Sequence, residues 1–141
     1  MSIEQPIGFA KEERLSIPTE GLQCLVISGY ATFGTLIGDA DDDYKYVQYT
    51  AHMVVGPNWL SVRDVSPIVT RAGFNHPDSD ESDMTGYQIK SCTWDTVGNP
   101  APNQDTERIR LKINLEVGGG HFSNLTALAY HLVATGKLAP S

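Results

Sequence analysis

At 141 residues, with 40% hydrophobic and 19% charged content, the chain has the size and mix of one globular domain that can bury a core without staples. Seventeen acidic against ten basic residues leave a formal charge of −7; such a surface repels phosphate backbones and anionic bilayers, so nucleic acid and membrane are disfavoured partners. The 13 Gly and 8 Pro suit strands joined by turns better than a helical body.

Residues 1–21 read as an N-terminal arm of mixed charge, punctuated by Pro6, Pro18 and Gly21, with a helical turn at Lys11–Leu15. An arm of this length needs a surface, either its own sheet or a neighbouring subunit, so a homo-oligomer built through the arm is one expectation. The start has neither the basic segment nor the apolar run of a signal peptide, and no stretch reaches membrane-spanning length. Cytoplasm is the default location, with leaderless export left open.

Leu22–Tyr30 is rich in strand formers and continues through Thr32 and Phe33 to Thr35–Ile37, with Gly29 and Gly34 marking bulges or a bend. Gly38–Asp43 is an acidic turn. Tyr44–Val55 alternates cleanly: Val47, Tyr49, Ala51, Met53 and Val55 on one face, Tyr44, Tyr46, Gln48, Thr50 and His52 on the other. Gly56-Pro57-Asn58 reads as a tight turn that folds Trp59–Thr70 back as a hairpin. Arg71–Gly86 is a long polar loop, Tyr87–Val97 a strand and Gly98–Thr106 a Pro/Asn loop.

Glu107–Val117 carries the clearest pattern. Arg108, Arg110, Lys112, Asn114 and Glu116 alternate with Ile109, Leu111, Ile113, Leu115 and Val117, which predicts a strand with one wet and one dry face. Residues 118–138 read as a Gly corner and a C-terminal helix. Ser123 or Asn124 caps it, Leu125, Leu128, Ala129, Leu132 and Val133 form a stripe, and Gly136 and Lys137 close it. The predicted fold is one mainly β domain (arm 1–21, sheet body 22–117, corner and helix 118–138): an antiparallel β-sandwich or flattened barrel of six to eight strands with one C-terminal α-helix.

Two acidic loops are the candidate metal ligands: Asp39, Asp41 and Asp43 before the first arm of the predicted hairpin, Asp78, Asp80 and Asp83 after the second. A hairpin would bring both to one end of the sheet, and calcium takes six to eight hard oxygens from such loops. The pattern is not an EF-hand, because Tyr44 stands where the Gly should be and Thr50 where the bidentate Glu should be. Solvation of two exposed turns is the plainer explanation of so many acids. Calcium is the one cofactor expected, if any.

The candidate partner-binding residues are Tyr44, Tyr46, His52, Arg108, Arg110 and Lys112. Tyr supplies stacking area with a hydroxyl, and a row of cations suits a carboxylate or phosphate. The same cations could instead face acids such as Asp95 across the sheet. His52, His76, His121 and His131 lack zinc spacing, and Gly118-Gly119-Gly120-His121 lacks the Lys-Ser/Thr of a phosphate loop. Cys24 and Cys92 read as two buried thiols, or as one disulfide in an exported protein.

With no converging acid, base and nucleophile, the first functional expectation is a non-enzymatic binding or assembly module. It would contact a protein or carbohydrate through a wet sheet face and long loops. A calcium-dependent binding module is the second. The third is a small barrel enzyme of the cyclase or isomerase kind, with an internal apolar pocket containing Tyr49, Tyr87 or Trp94.

Overall fold

In the computed structural model, which describes residues 2–3, 10–17, 19–37, 46–75, 86–101, 104–118 and 124–140, the regular elements are all β-strands. They are β1 (Ser2–Ile3), β2 (Ala10–Ile17), β3 (Gln23–Ile37), β4 (Val47–Asn75), β5 (Gly86–Ala101), β6 (Gln104–Gly118) and β7 (Asn124–Leu138). Hydrogen bonding orders them β2-β3-β7-β4-β6-β5, antiparallel throughout. The short β1 runs parallel to β4, with Ser2 opposite Thr50. Among the described residues no helix is long and apolar enough to cross a membrane.

The alternation of Glu107–Val117 behaves as the pattern predicts. Ile109, Leu111, Ile113, Leu115 and Val117 of β6 are almost wholly buried, and each such side chain contributes about 1.5–3 kcal/mol when taken from water. Tyr49, Ala51, Met53 and Val55 of β4 join them, with Val47 packed against the cluster. Leu25, Ile27 and Ala31 of β3 and Leu128, Tyr130, Leu132 and Ala134 of β7 belong to the same core.

β4 is the organising element. A straight strand of 29 residues would run roughly 95 Å, against a radius of gyration near 14 Å for a domain of this length. It is accommodated by changing partners midway. Val47–Val55 pairs with β6, and Trp59–Asn75 pairs with β7. The exchange falls at Gly56-Pro57-Asn58, where the β6 ladder shifts register and Gly56 takes φ +77°, a backbone state that glycine reaches without penalty. Trp59, fully buried, is opposite both Glu107 of β6 and Leu138 of β7. The Glu107 carboxylate accepts the Val62 N–H at 2.8 Å, satisfying one donor freed by the irregularity.

Four sequence expectations change. The C-terminal helix is instead strand β7. Leu128 and Leu132 fit a helical stripe and a two-residue repeat equally. What decides is the neighbourhood: Leu128, Tyr130, Leu132 and Ala134 bury one face between β3 and β4, while His131, Val133 and Lys137 stay exposed. Tertiary pairing overrides the modest helix preference of the alanines. Gly136 is no helix cap; a Cβ there would meet the Ser61 carbonyl oxygen, so its bareness permits β4 to approach.

The hairpin expected at Gly56-Pro57-Asn58 is a partner exchange within one strand: the flank before it pairs with β6 and the flank after it with β7, and both place apolar side chains in the same core. The loops expected at 71–86 and 98–106 are in part ladder: β4 extends to Asn75, β5 runs from Gly86 to Ala101, and β6 begins at Gln104, while residues 76–85 and 102–103 lie outside the described residues. Lys11–Leu15 is extended rather than helical, paired in β2 from Lys11↔Tyr30 to Leu15↔Val26.

Candidate functional site

The outward face of β4, β6 and β5 forms a polar block in register across three strands. Gln48, Glu116 and Gln88 make one row, Thr50, Asn114 and Ser91 the next, and His52, Lys112 and Thr93 the third. Val54, Arg110 and Asp95 make the fourth. Because side chains alternate along a strand, the burial of Ile109 through Val117 forces Arg110, Lys112, Asn114 and Glu116 onto this one surface.

The rows are tied internally. Thr50 Oγ1 donates to Asn114 Oδ1 at 3.0 Å, and Asn114 Nδ2 donates to Ser91 Oγ at 2.9 Å, a chain of hydrogen bonds across all three strands. Gln48 Nε2 reaches Glu116 at 3.4 Å, and Lys90 Nζ lies 3.1 Å from the same carboxylate. The Arg110 guanidinium grips Asp95 in a fork, Nε at 2.9 Å and Nη2 at 2.5 Å. That hydrogen bond, helped by the charges of Arg110, His52 and Lys112, holds the Asp95 carboxyl below its usual range against slight desolvation.

A second polar cluster sits where β4 changes partners at Gly56-Pro57-Asn58, the β4 corner. The Glu12 carboxylate of β2 is largely covered and accepts three hydrogen bonds: from Tyr130 Oη of β7 at 2.7 Å, from the Gly56 N–H at 2.9 Å and from Arg14 Nε at 2.7 Å. Burial alone would raise its pKa, but the donors from Tyr130, Gly56 and Arg14 together pull it below the ordinary value. Burial, and then the Glu12 carboxylate, push the Tyr130 phenol upward. On the other side of the same peptide segment, Arg108 donates Nε and Nη2 to the Gly56 carbonyl at 3.1 and 2.8 Å. Gly56 is thus held by a carboxylate at its N–H and a guanidinium at its C=O.

The structure therefore divides the predicted cationic row. Arg110 and Lys112 lie on the polar block with His52, whereas Arg108 turns to the corner. The half-buried Tyr46 immediately precedes β4, and Tyr44 lies outside the described residues. The adjacency of the Gln48–His52 face to Arg110 and Lys112 is set by the Val47–Val117 to Val55–Ile109 register. Sequence reasoning missed Glu12, Arg14, Gly56 and Tyr130 as a cluster, because nothing in the stretch KEERLSI says which face points inward. It also missed Asn114 and Ser91 as the centre of the polar block; their place follows only from the β5–β6 register.

Asp39, Asp41, Asp43, Asp78, Asp80 and Asp83 lie outside the described residues. The hairpin that was to bring their loops together is replaced by a continuous strand. Among the described residues no group of three or more His, Cys, Asp and Glu could hold a metal. Cys24 and Cys92 are free thiols, and burial raises the pKa of Cys92. Tyr49 lies within the core and Trp94 packs against it, while the side chain of Tyr87 lies outside the described set. No protein-family model matches the chain, and no curated protein or solved structure does either.

Proposed function

We propose that the protein is a non-enzymatic binding or assembly module whose contact surface is the polar block of β4, β6 and β5, recognising a protein or a carbohydrate. This reading takes the ladder on either side of the corner to stack as an antiparallel β-sandwich or flattened barrel. Its support is that residues from both partner sets of β4 share one core. The polar block then lies on the outer skin.

One observation carries the reading: the Thr50–Asn114–Ser91 hydrogen-bond chain, flanked by the His52/Lys112 row and the Arg110–Asp95 fork. Side chains that already hold one another lose little rotamer freedom when a partner docks. Amides, hydroxyls and a guanidinium at strand spacing can exchange hydrogen bonds with sugar hydroxyls or with a peptide surface.

The test compares wild type with His52→Ala, Arg110→Ala and Asn114→Ala on a glycan array and against protein partners recovered by affinity capture, with Arg63→Ala as an off-face control. Partners of the wild type should lose at least tenfold in affinity with each face variant and none with the control. Partners that bind every variant equally well would retire the proposal.

A further inference from the structure

We propose that the β4 corner holds a binding site for a small phosphomonoester, separate from the polar block and independent of its function. An open cleft of about 420 Å³ lies there. Its polar lining includes Arg14, Asn58 and Arg108, and its apolar lining Pro57, Ala139 and Pro140.

The two guanidiniums arrive from different strands and are both held in advance. Arg14 is anchored through Nε to Glu12, and Arg108 through Nε and Nη2 to the Gly56 carbonyl. Both anchors end on Gly56, since Glu12 also accepts the Gly56 N–H. Each bond lies on one edge of its fork. Among the described residues, neither Nη of Arg14 nor Nη1 of Arg108 makes a hydrogen bond. Planar forks fixed at one edge and open at the other suit a tetrahedral oxyanion, which takes bidentate contacts from arginine.

Charge favours the same occupant. Glu12 neutralises one of the two arginines, and its side chain is mostly covered while that of Arg14 is 46% exposed. Among the described residues that line the cleft, one positive charge is therefore left without a paired acid, a local exception to the protein's formal charge of −7. A lone phosphate would leave most of 420 Å³ unfilled. The Pro57, Ala139 and Pro140 wall offers apolar surface to an organic body attached to the phosphoryl group.

The experiment uses the full chain at constant ionic strength, titrated with phenyl phosphate, inorganic phosphate and benzoate. Binding is read from the Gly56 amide and the arginine Nε signals in nitrogen–proton correlation spectra. Phenyl phosphate should give saturable shifts at these atoms and bind more tightly than phosphate; benzoate should bind more weakly than both. Arg14→Gln leaves the Tyr130–Glu12–Gly56 bonds in place and should weaken phenyl phosphate about tenfold to a hundredfold. Arg108→Lys keeps the charge but loses the fork, and should weaken it by a smaller factor. Arg63→Gln, outside this cleft, should leave binding unchanged. The proposal is overturned if no saturable shift occurs at millimolar ligand. It is equally overturned if phosphate or benzoate matches phenyl phosphate, or if Arg14→Gln binds like wild type.

Discussion

Glu12 is the most informative residue to perturb, because one carboxylate ties β2, the β4 corner and β7 together. Truncation in Glu12→Ala strands the Tyr130 hydroxyl and the Gly56 N–H in buried surroundings. Each such orphan costs about 1–3 kcal/mol, so the pair amounts to about 2–6 kcal/mol. Loss of the exposed Arg14 pairing adds little. Glu12→Gln should be milder, at about 1–3 kcal/mol, because a single oxygen, Oε1, serves both Tyr130 and Gly56, and an amide oxygen can occupy that place as a weaker acceptor.

Urea unfolding followed by tryptophan fluorescence at neutral pH separates the cases, with Tyr130→Phe completing a double-mutant cycle. The pH dependence follows from the lowered pKa. The ionised form is favoured in the folded protein, so its contribution is present above the ordinary value of 4.5 and is lost as pH falls through the lower folded pKa. The stability gap between wild type and Glu12→Gln should therefore shrink in acid. A Glu12→Ala protein within about 0.5 kcal/mol of wild type, or a Gln variant as damaged as the Ala one, would refute this reasoning.

Gly136→Ala places a Cβ against the Ser61 carbonyl oxygen and 3.1 Å from both Trp59 Cε3 and the Val62 Cα. Two of these three neighbours are backbone, so a loss toward the upper end of about 1–3 kcal/mol is expected in thermal melts; an unchanged Tm would show that β4 yields freely there. Asp95→Asn breaks an exposed fork and should cost only about 0.2–1 kcal/mol in urea unfolding, less at high salt. A larger, salt-insensitive loss would contradict that. Calcium remains a separate proposal from Asp39, Asp41, Asp43, Asp78, Asp80 and Asp83: it should stabilise by about 2.7 kcal/mol at a hundredfold excess over Kd, and an unmoved melt at millimolar calcium disposes of it.

What was legible in the sequence was alternation. Val47–Val55 and Ile109–Val117 each bury the side chains that their two-residue repeat assigns inward. The repeat also placed Arg110 on the wet face where it meets Asp95. What was not legible was pairing. Gly56-Pro57-Asn58 carries the composition of a hairpin turn, and local chemistry alone does not distinguish a reversal from a partner exchange within a continuing strand; that depends on β6 and β7, both distant in sequence. The segment from Asn124 to Leu138 failed for a related reason. Leucines at 128 and 132 satisfy periods of two and of nearly four alike, and only burial of Tyr130 and close approach at Gly136 break the tie. Glu12 and Arg14 gave no signal, because a charged pair in a mixed-charge stretch is normally solvated.

The partner exchange in β4 also explains why three cations adjacent in one alternating pattern end in different chemical settings. Lys112 and Arg110 sit where β6 is flanked by both β4 and β5, so neighbours at fixed register meet them: His52 and Thr93 opposite one, Val54 and Asp95 opposite the other. Arg108 lies two residues further along, where β4 is leaving β6 and no β4 residue between Val55 and Trp59 is in register with it. The gap exposes the Gly56 carbonyl, which would otherwise bond within a ladder, and the guanidinium takes it. The irregularity that removes a cross-strand neighbour from Arg108 thereby fixes that side chain at the corner cleft with Arg14. A substitution that restored regular pairing at 56–58 should release Arg108 and abolish anion binding while leaving the polar block intact.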